Sequence, residues 1–414
     1  MLKRLTAAAA LLFSSAVLYA GTLSFKGDCE KPRAVFEPGE KMVFKIQLLE
    51  DDKPVAGKKL KWTRSGDDKK TENGEAVSSA TEPLIVTTTL EQPGFVRILV
   101  SVLDETGKPL KTDKGRDLAF DGGAGVRLER LESIPEPKDF DAFWAKQKAK
   151  LAAVPLKATV TEVPSKNPAF QVFDVKVDCA GGKPVSGYLT KPKDAAPKSL
   201  QAQVNFMGYG VASPNPDTAP KTLSFTVNAH GIENGRDADY YKKLYDGELR
   251  SYAFKPAENA DPETAYFNGM MLRVMRALEF VKSQPEWNGK TLIVAGGSQG
   301  GLQAINAAAL DPDVTKCFVY KPWCCDLGGL TLGRLRGWRP EYTEALAYYD
   351  PVNQAKRIKC ETVITAGLGD YTCPPSGVTI LYNNIKAPKR IEYTQGATHG
   401  GNPPGAQKFT IEAK

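Results

Sequence analysis

Between Gly21 and Gly125 the apolar residues come in short stretches spaced two apart. Met42, Phe44, Ile46 and Leu48 do so in "KMVFKIQLLE", and Val96, Ile98, Val100 and Val102 in "FVRILVSVL". Successive side chains of a strand point to opposite faces, so each series marks one face of a strand. The segments "EPGE", "DDKPVAG", "RSGDDKKTENGE" and "EQPG" lie between such runs, rich in the residues that supply turn conformations. The spacing predicts a small all-β sandwich of immunoglobulin-like type over residues 21–125. Trp62 follows Leu60 at strand spacing and is assigned to the core rather than to a sugar-binding surface.

A glycine cluster, Gly122, Gly123 and Gly125, marks the boundary, and the pattern then changes. Phe140, Phe143 and Trp144 begin an amphipathic helix. "QVFDVKVDC" and "KPVSGYLTKP" read as a hairpin, and "QAQVNFMGYG", "LSFTVNAHG", "KTLIVAGGS", "KCFVYKPW", "CETVITAGLGD" and "KRIEYTQGATH" as successive strands. Helical spacing intervenes, as where Met271, Met275, Leu278 and Val281 fall on one face. Strands alternating with helices predict a mostly parallel sheet covered on both faces, an α/β fold, over residues 126–414.

Composition agrees with two globular domains: 414 residues, 42% hydrophobic and 25% charged. Lys3 and Arg4 precede an apolar run ending in small residues, the layout of a secretory leader over residues 1–20, with cleavage open between Ala16 and Ala20. That run is too short for a comfortable membrane span, and the mature chain is expected to have none and to be secreted or periplasmic. Losing Lys3 and Arg4 lowers the formal net charge of +7 by two, and no basic stripe argues for nucleic acid or a membrane surface. Seven cysteines, an odd number, show no CxxC; with two histidines no metal-ligand spacing arises, so no metal is expected.

The chemistry concentrates in "LIVAGGSQGG". Gly296 to Gly300 satisfy G-x-S-x-G, the sharp strand-to-helix turn that lifts a serine hydroxyl above a sheet. The pattern alone is weak, but an apolar strand precedes it and "GLQAINAAAL" follows with small helix formers. A serine needs a base, and in this fold the chain order is Ser, acid, His. His230 precedes Ser298, so His399 in "QGATHGGN" is the candidate base. Asp370 in "GLGDYTCPP" follows the intervening strand and is the candidate acid; Asp350 in "YYDPV" precedes that strand and reads as a cap or turn. Oxyanion donors are expected from the backbone amides of Gln299 and of Tyr209, the latter between Gly208 and Gly210 in "NFMGYG".

At these residues the chain resembles the acetyl xylan esterase and cephalosporin-C deacetylase family of α/β-hydrolases, carbohydrate esterase family seven. The resemblance runs from Ile134 to Gly401 and rests on "DFDAFWAKQKAKL", "MGYG", "DPETAYFNGMMLRVMRALEFVKSQPEW", "GGSQGG", "YYDPVNQAKRIKC", "GLGDYTCPPS", "YNNIKAPKRIEY" and "THGG". It implies Ser298 as nucleophile, Asp370 as acid, His399 as base and the amides of Tyr209 and Gln299 as oxyanion hole. It also implies acetylated carbohydrates as substrates and no cofactor. Family members often form hexamers, so a homo-oligomer is within that expectation. The chain departs from the family in four places. His230-Gly231-Ile232-Glu233 replace "RGQG", the stretch between Tyr209 and His230 is short, the closing helix is reduced to "GAQKFTIEAK", and a β domain stands in front.

The resulting expectation is an exported serine esterase that removes acetyl groups from sugar hydroxyls. A prolyl-peptidase-like hydrolase keeps the same triad, but roughly 100 residues are too few for a propeller. An inert glycan-binding protein is the third reading, against which the complete Ser, Asp and His set argues.

Overall fold

The computed structural model describes residues 21–113 and 115–413; the expected leader lies outside them. The N-terminal region holds two sheets. One contains β1 (Leu23–Cys29), β3 (Met42–Glu50), β4 (Lys53–Pro54) and β7 (Leu84–Thr88). The other runs β2-β9-β8-β5-β6, with β2 (Val35–Phe36), β5 (Lys59–Gly66), β6 (Thr71–Val77), β8 (Gly94–Val102) and β9 (Ala119–Val126). Both alternating runs turn their apolar residues inward: Met42, Phe44, Ile46 and Leu48 are buried, as are Val96, Ile98, Val100 and Val102. Trp62 is half-buried and packs its ring over Gly74 of the neighbouring strand.

Ten strands form the main sheet, in the order β10-β11-β12-β14-β13-β15-β16-β17-β18-β19. They are β10 (Ala158–Val163), β11 (Phe170–Val177), β12 (Val185–Pro192), β13 (Leu200–Phe206), β14 (Thr222–Asn228), β15 (Trp287–Gly297), β16 (Lys316–Tyr320), β17 (Glu361–Gly367), β18 (Lys389–Thr394) and β19 (Lys408–Ala413). Pairing from β14 through β13, β15, β16 and β17 to β18 is parallel, and the outer strands are antiparallel. The helices are α1 (Phe140–Ala152), α2 (Ala238–Asp246), α3 (Tyr266–Lys282), α4 (Gln299–Leu310), α5 (Pro351–Gln354) and α6 (Pro375–Asn384).

The three sheet-packing helices share one face. Phe280 of α3 meets Phe225 with ring centroids 5.2 Å apart, Gly300 of α4 sits against Gly296, and Thr379 of α6 hydrogen-bonds the Tyr393 hydroxyl at 2.7 Å. Phe225, Gly296 and Tyr393 all belong to that face, where Val204, Val294, Val319 and Ile364 are also buried. Helix α3 is buried almost all round rather than on the one stripe its spacing suggests. Its two arginines are accommodated because they donate to backbone carbonyls, Arg273 to Ala229 and Arg276 to Leu151 and Val154.

The opposite face is covered differently. Residues 207–221, between β13 and β14, contain no helix; instead Asp217 accepts from Asn205 and Ser224, both at 3.0 Å. After β18 the segment expected as a reduced closing helix is the strand β19, antiparallel to β18. Thr410 and Ile411 are β-branched and Phe409 is buried, a period-two pattern that suits a strand. Neither connection therefore lays a helix over β15 to β18, and Tyr320 on that face is 59% exposed.

The N-terminal region docks where β17 and β18 end. The Gln395 side chain both donates to the Gly123 carbonyl and accepts from its amide, each at 2.9 Å, while Gln407 does the same to Cys29 at 3.1 Å. A Cβ on Gly369 would lie 1.7 Å from the Asp121 carbonyl oxygen, so glycine is required for the two segments to meet. Among the described residues no two cysteines are bridged, and no helix is long and apolar enough to cross a membrane.

Candidate active site

Strand β15 carries the chain to Ser298 and α4 begins at the next residue. Ser298 has φ +53° and ψ −121°, a sparsely populated conformation that costs about 1–3 kcal/mol and aims the side chain out of the turn. The surrounding glycines answer to close approach. A Cβ at Gly296 would lie 2.3 Å from the Gly300 carbonyl carbon, and one at Gly300 would lie 2.2 Å from the Phe206 oxygen. Backbone bonds fix the elbow: Ser298 N–H donates to Tyr320, and its carbonyl accepts from Leu302 and Trp323.

Ser298, His399 and Asp370 come together although 101 and 29 residues separate them along the chain. Ser298 Oγ lies 3.1 Å from His399 Nε2, and His399 Nδ1 lies 2.9 Å from Asp370 Oδ2. A carboxylate only accepts, so Nδ1 donates to Asp370 and Nε2 is left to accept from the serine. Asp370 is fully buried, and its second oxygen accepts from the amides of Thr372 at 3.0 Å and Cys373 at 2.9 Å. The His399 side chain stays 32% exposed. Asp350 is elsewhere: it caps α5 and accepts from Val352, Asp326 and Leu327, and burial beside Asp326 pushes its carboxyl up to about 7.

Asp370, Cys373 and His399 place ligand atoms within 4.8 Å of one another. The Asp370 oxygens are already committed, and burial holds the Cys373 thiol well above its usual range and therefore protonated. That donor set suits a hydrogen-bonded relay better than a cation.

Gln299 is the first residue of α4, so its amide has no acceptor within the helix. Tyr209 lies on the segment facing it, strapped to α4 by two side chains: Gln299 Nε2 reaches the Gly208 carbonyl at 3.4 Å and Gln303 Nε2 the Met207 carbonyl at 3.0 Å. His230, discarded as a base by chain order, braces the same segment. Its Nε2 donates to the Gly210 carbonyl at 2.8 Å, its Nδ1 accepts a hydrogen bond from the Tyr266 hydroxyl, and burial lowers its pKa to about 4. The Tyr252 hydroxyl accepts from Gly210 N–H at 2.8 Å, and its ring stacks on Tyr209 with centroids 4.2 Å apart. Trp338 stands edge-on to Tyr209 at 4.7 Å.

The sequence reading missed this aromatic wall and also missed Lys321. Lys321 Nζ donates to the Thr398 carbonyl at 2.5 Å and to Asn402 Oδ1 at 2.9 Å, bracketing His399 from both sides. The only local signal was "YKPW", which runs from the end of β16. A cavity of about 480 Å³ opens beside Ser298 and His399, with Tyr320, Lys321, Glu392 and Asn402 in its lining.

The model of the family described as acetyl xylan esterase (AXE1) matches residues 128–331 and 336–411. Acetyl esterase Axe7A of Xylanibacter ruminicola is 28% identical over 328 residues, 73% of this chain and 70% of that protein. The solved acetyl xylan esterase from Paenibacillus sp. R4 is 26% identical with a TM-score of 0.56, covering 67% of this chain and 94% of its own. Acetyl xylan esterase 1 from Thermoanaerobacterium sp. JW/SL YS485 shares the fold over the same proportions, at 23% identity and a TM-score of 0.56. The family match leaves β1 to β9 outside it and takes in Ser298, Asp370 and His399. With its α/β-hydrolase fold, this carboxylic ester hydrolase belongs to the acetyl xylan esterase family.

Proposed function

We propose that the chain is an exported serine esterase that removes acetyl groups from carbohydrate hydroxyls, such as those of acetylated xylan or xylo-oligosaccharides. The observation that carries the reading is the unbroken hydrogen-bond relay from buried Asp370 through His399 to Ser298. His399 takes the Ser298 proton as Oγ attacks the acetyl carbonyl, and the ester oxygen becomes a tetrahedral oxyanion. The free amide of Gln299 and that of Tyr209 are the donors assigned to that charge, each worth about 2.7–4 kcal/mol of barrier in such sites. His399 then protonates the departing sugar oxygen, leaving acetyl on Ser298. Water, deprotonated by His399, attacks the acetyl-enzyme and releases acetate.

Residues 1–20 act as the leader, 21–125 as an immunoglobulin-like sandwich domain and 126–414 as the esterase domain in this reading. The fused Lys-Arg and apolar pattern at the start and the names of the relatives support it. The test is acetate release from acetylated xylan, acetylated xylo-oligosaccharides and p-nitrophenyl acetate, with Ser298→Ala as the control. Turnover of the acetylated sugars that vanishes in Ser298→Ala is expected; sugar deacetylation indistinguishable from that control overturns the reading.

A further inference from the structure

His399 must deliver its proton to the oxygen that leaves, so the alcohol half of an ester lies on the His399 side of Ser298, away from the oxyanion amides. The cavity beside the serine is on that side. Ser298, His399, Gly400 and Asn402 line it, and neither Tyr209 nor Gln299 does. Its volume of about 480 Å³ falls within the range of small-ligand sites. It exists because no helix covers this part of the sheet, and its floor is a row of paired strand residues. Gly297 is paired with Tyr320, Tyr320 with Thr365, and Thr365 with Glu392. Three strand spacings make that row about 14 Å long, more than one sugar ring.

The chemistry of the row is amphipathic. Tyr320, a residue 59% exposed, stands at the serine end. Glu392 stands at the far end with one carboxylate oxygen bonded to Lys408 at 3.0 Å. Asn402 and Lys321 supply polar atoms along the rim. Aliphatic C–H faces of a pyranose suit an aromatic platform, and ring hydroxyls suit carboxylate and amide acceptors. We propose that this groove is the subsite for the leaving polysaccharide: a pyranose stacks on Tyr320 while the next sugars of the chain run toward Glu392. The inference rests on the sugar-deacetylase reading above and specifies that the enzyme holds the main chain of a polymer. The polar rim and the serine at one end favour a carbohydrate over a second copy of this chain as occupant.

The experiment titrates xylotriose into the full-length Ser298→Ala protein, followed by saturation-transfer NMR. Adding Tyr320→Ala is expected to weaken binding about tenfold, and Tyr320→Phe to restore it. Glu392→Ala supplies a second variant, expected to weaken xylotriose about threefold. In the Ser298-containing enzyme, Tyr320→Ala lowers the ratio of kcat/KM for acetylated xylotriose to that for p-nitrophenyl acetate by at least fivefold. Xylotriose binding and that ratio both unchanged in Tyr320→Ala overturn the subsite. So does a Tyr320→Ala substitution that only splits a dimer, seen by sedimentation. Absence of acetate release from every acetylated sugar would instead count against the functional reading, while the xylotriose titration still decides the subsite.

Discussion

The two histidines stand at comparable places, each in a loop that follows a strand of the main sheet, and they do opposite work. His230 is enclosed by Tyr252, Tyr266 and the Gly210 carbonyl, and burial holds its ring neutral. One ring nitrogen is spent on the Gly210 carbonyl and the other on the Tyr266 hydroxyl, so neither is left for a reactant. His399 keeps 32% of its side chain open, with one nitrogen on a buried carboxylate and the other on a serine. A histidine whose neighbours satisfy it completely is a brace, and one that faces a serine hydroxyl from an open loop has the geometry of the base proposed above. Residue type says little; the partners decide.

Several substitutions break that contrast, in order of expected effect. Replacing His399 by Ala removes the proposed base and is expected to lower kcat about 10⁶-fold while the thermal midpoint moves by only a few degrees. Asp370→Asn keeps the geometry but favours the wrong tautomer, costing about 10⁴-fold in kcat. His230→Ala inverts the pattern. It leaves the Gly210 carbonyl unpaired and the Tyr266 hydroxyl with only its 3.5 Å bond to the Ala229 carbonyl, so urea unfolding should show a loss of about 1–3 kcal/mol. Its effect on kcat, transmitted through the Tyr209 segment, should stay near tenfold.

Acid sharpens the same comparison. His230 has its pKa lowered from 6.5 to about 4 on folding, so its contribution to stability is complete above 6.5 and is lost as pH falls toward 4. The shift corresponds to about 3 kcal/mol. Asp350, raised from 3.8 to about 7, acts in the opposite sense across that window, because the folded state binds its proton more tightly. The difference in unfolding free energy between wild type and His230→Gln, measured at pH 7 and pH 5, therefore isolates the histidine; it should shrink as pH falls. The smallest effect is expected for Tyr209→Phe, which removes only the 3.3 Å bond to the Tyr252 carbonyl. A loss below about 1 kcal/mol with kcat nearly unchanged fits a residue whose assigned role is its amide.

The convergence of Ser298, His399 and Asp370, the proposed catalytic residues, was legible because its signals are local or ordinal. The glycines around Ser298 announce a turn, chain order separates His399 from His230, and the position of Asp370 after a strand separates it from Asp350. The β-strand runs were legible for the same reason, since burial repeats every second residue. What escaped depends on contacts between distant segments. Nothing near His230 in the sequence points to Tyr266 or Gly210, and nothing near Lys321 points to Thr398. The end of the chain was misjudged because Lys408–Ala413 is short and its period-two pattern competes with an expected helix. Edge pairing with β18 decides it.

The contact between Gly369 and Asp121 bears on where this enzyme can be cut. The family match begins at residue 128, which invites the view that everything before it is an accessory. Yet Asp121 also pairs with Arg97, whose guanidinium lies 4.3 Å over the half-buried Tyr371 ring, next to Asp370. The wall of the Asp370 loop is thus built in part from the preceding region. An enzyme trimmed at the homology boundary would lose part of its own interior, and the boundary drawn by ancestry is not one drawn by energy.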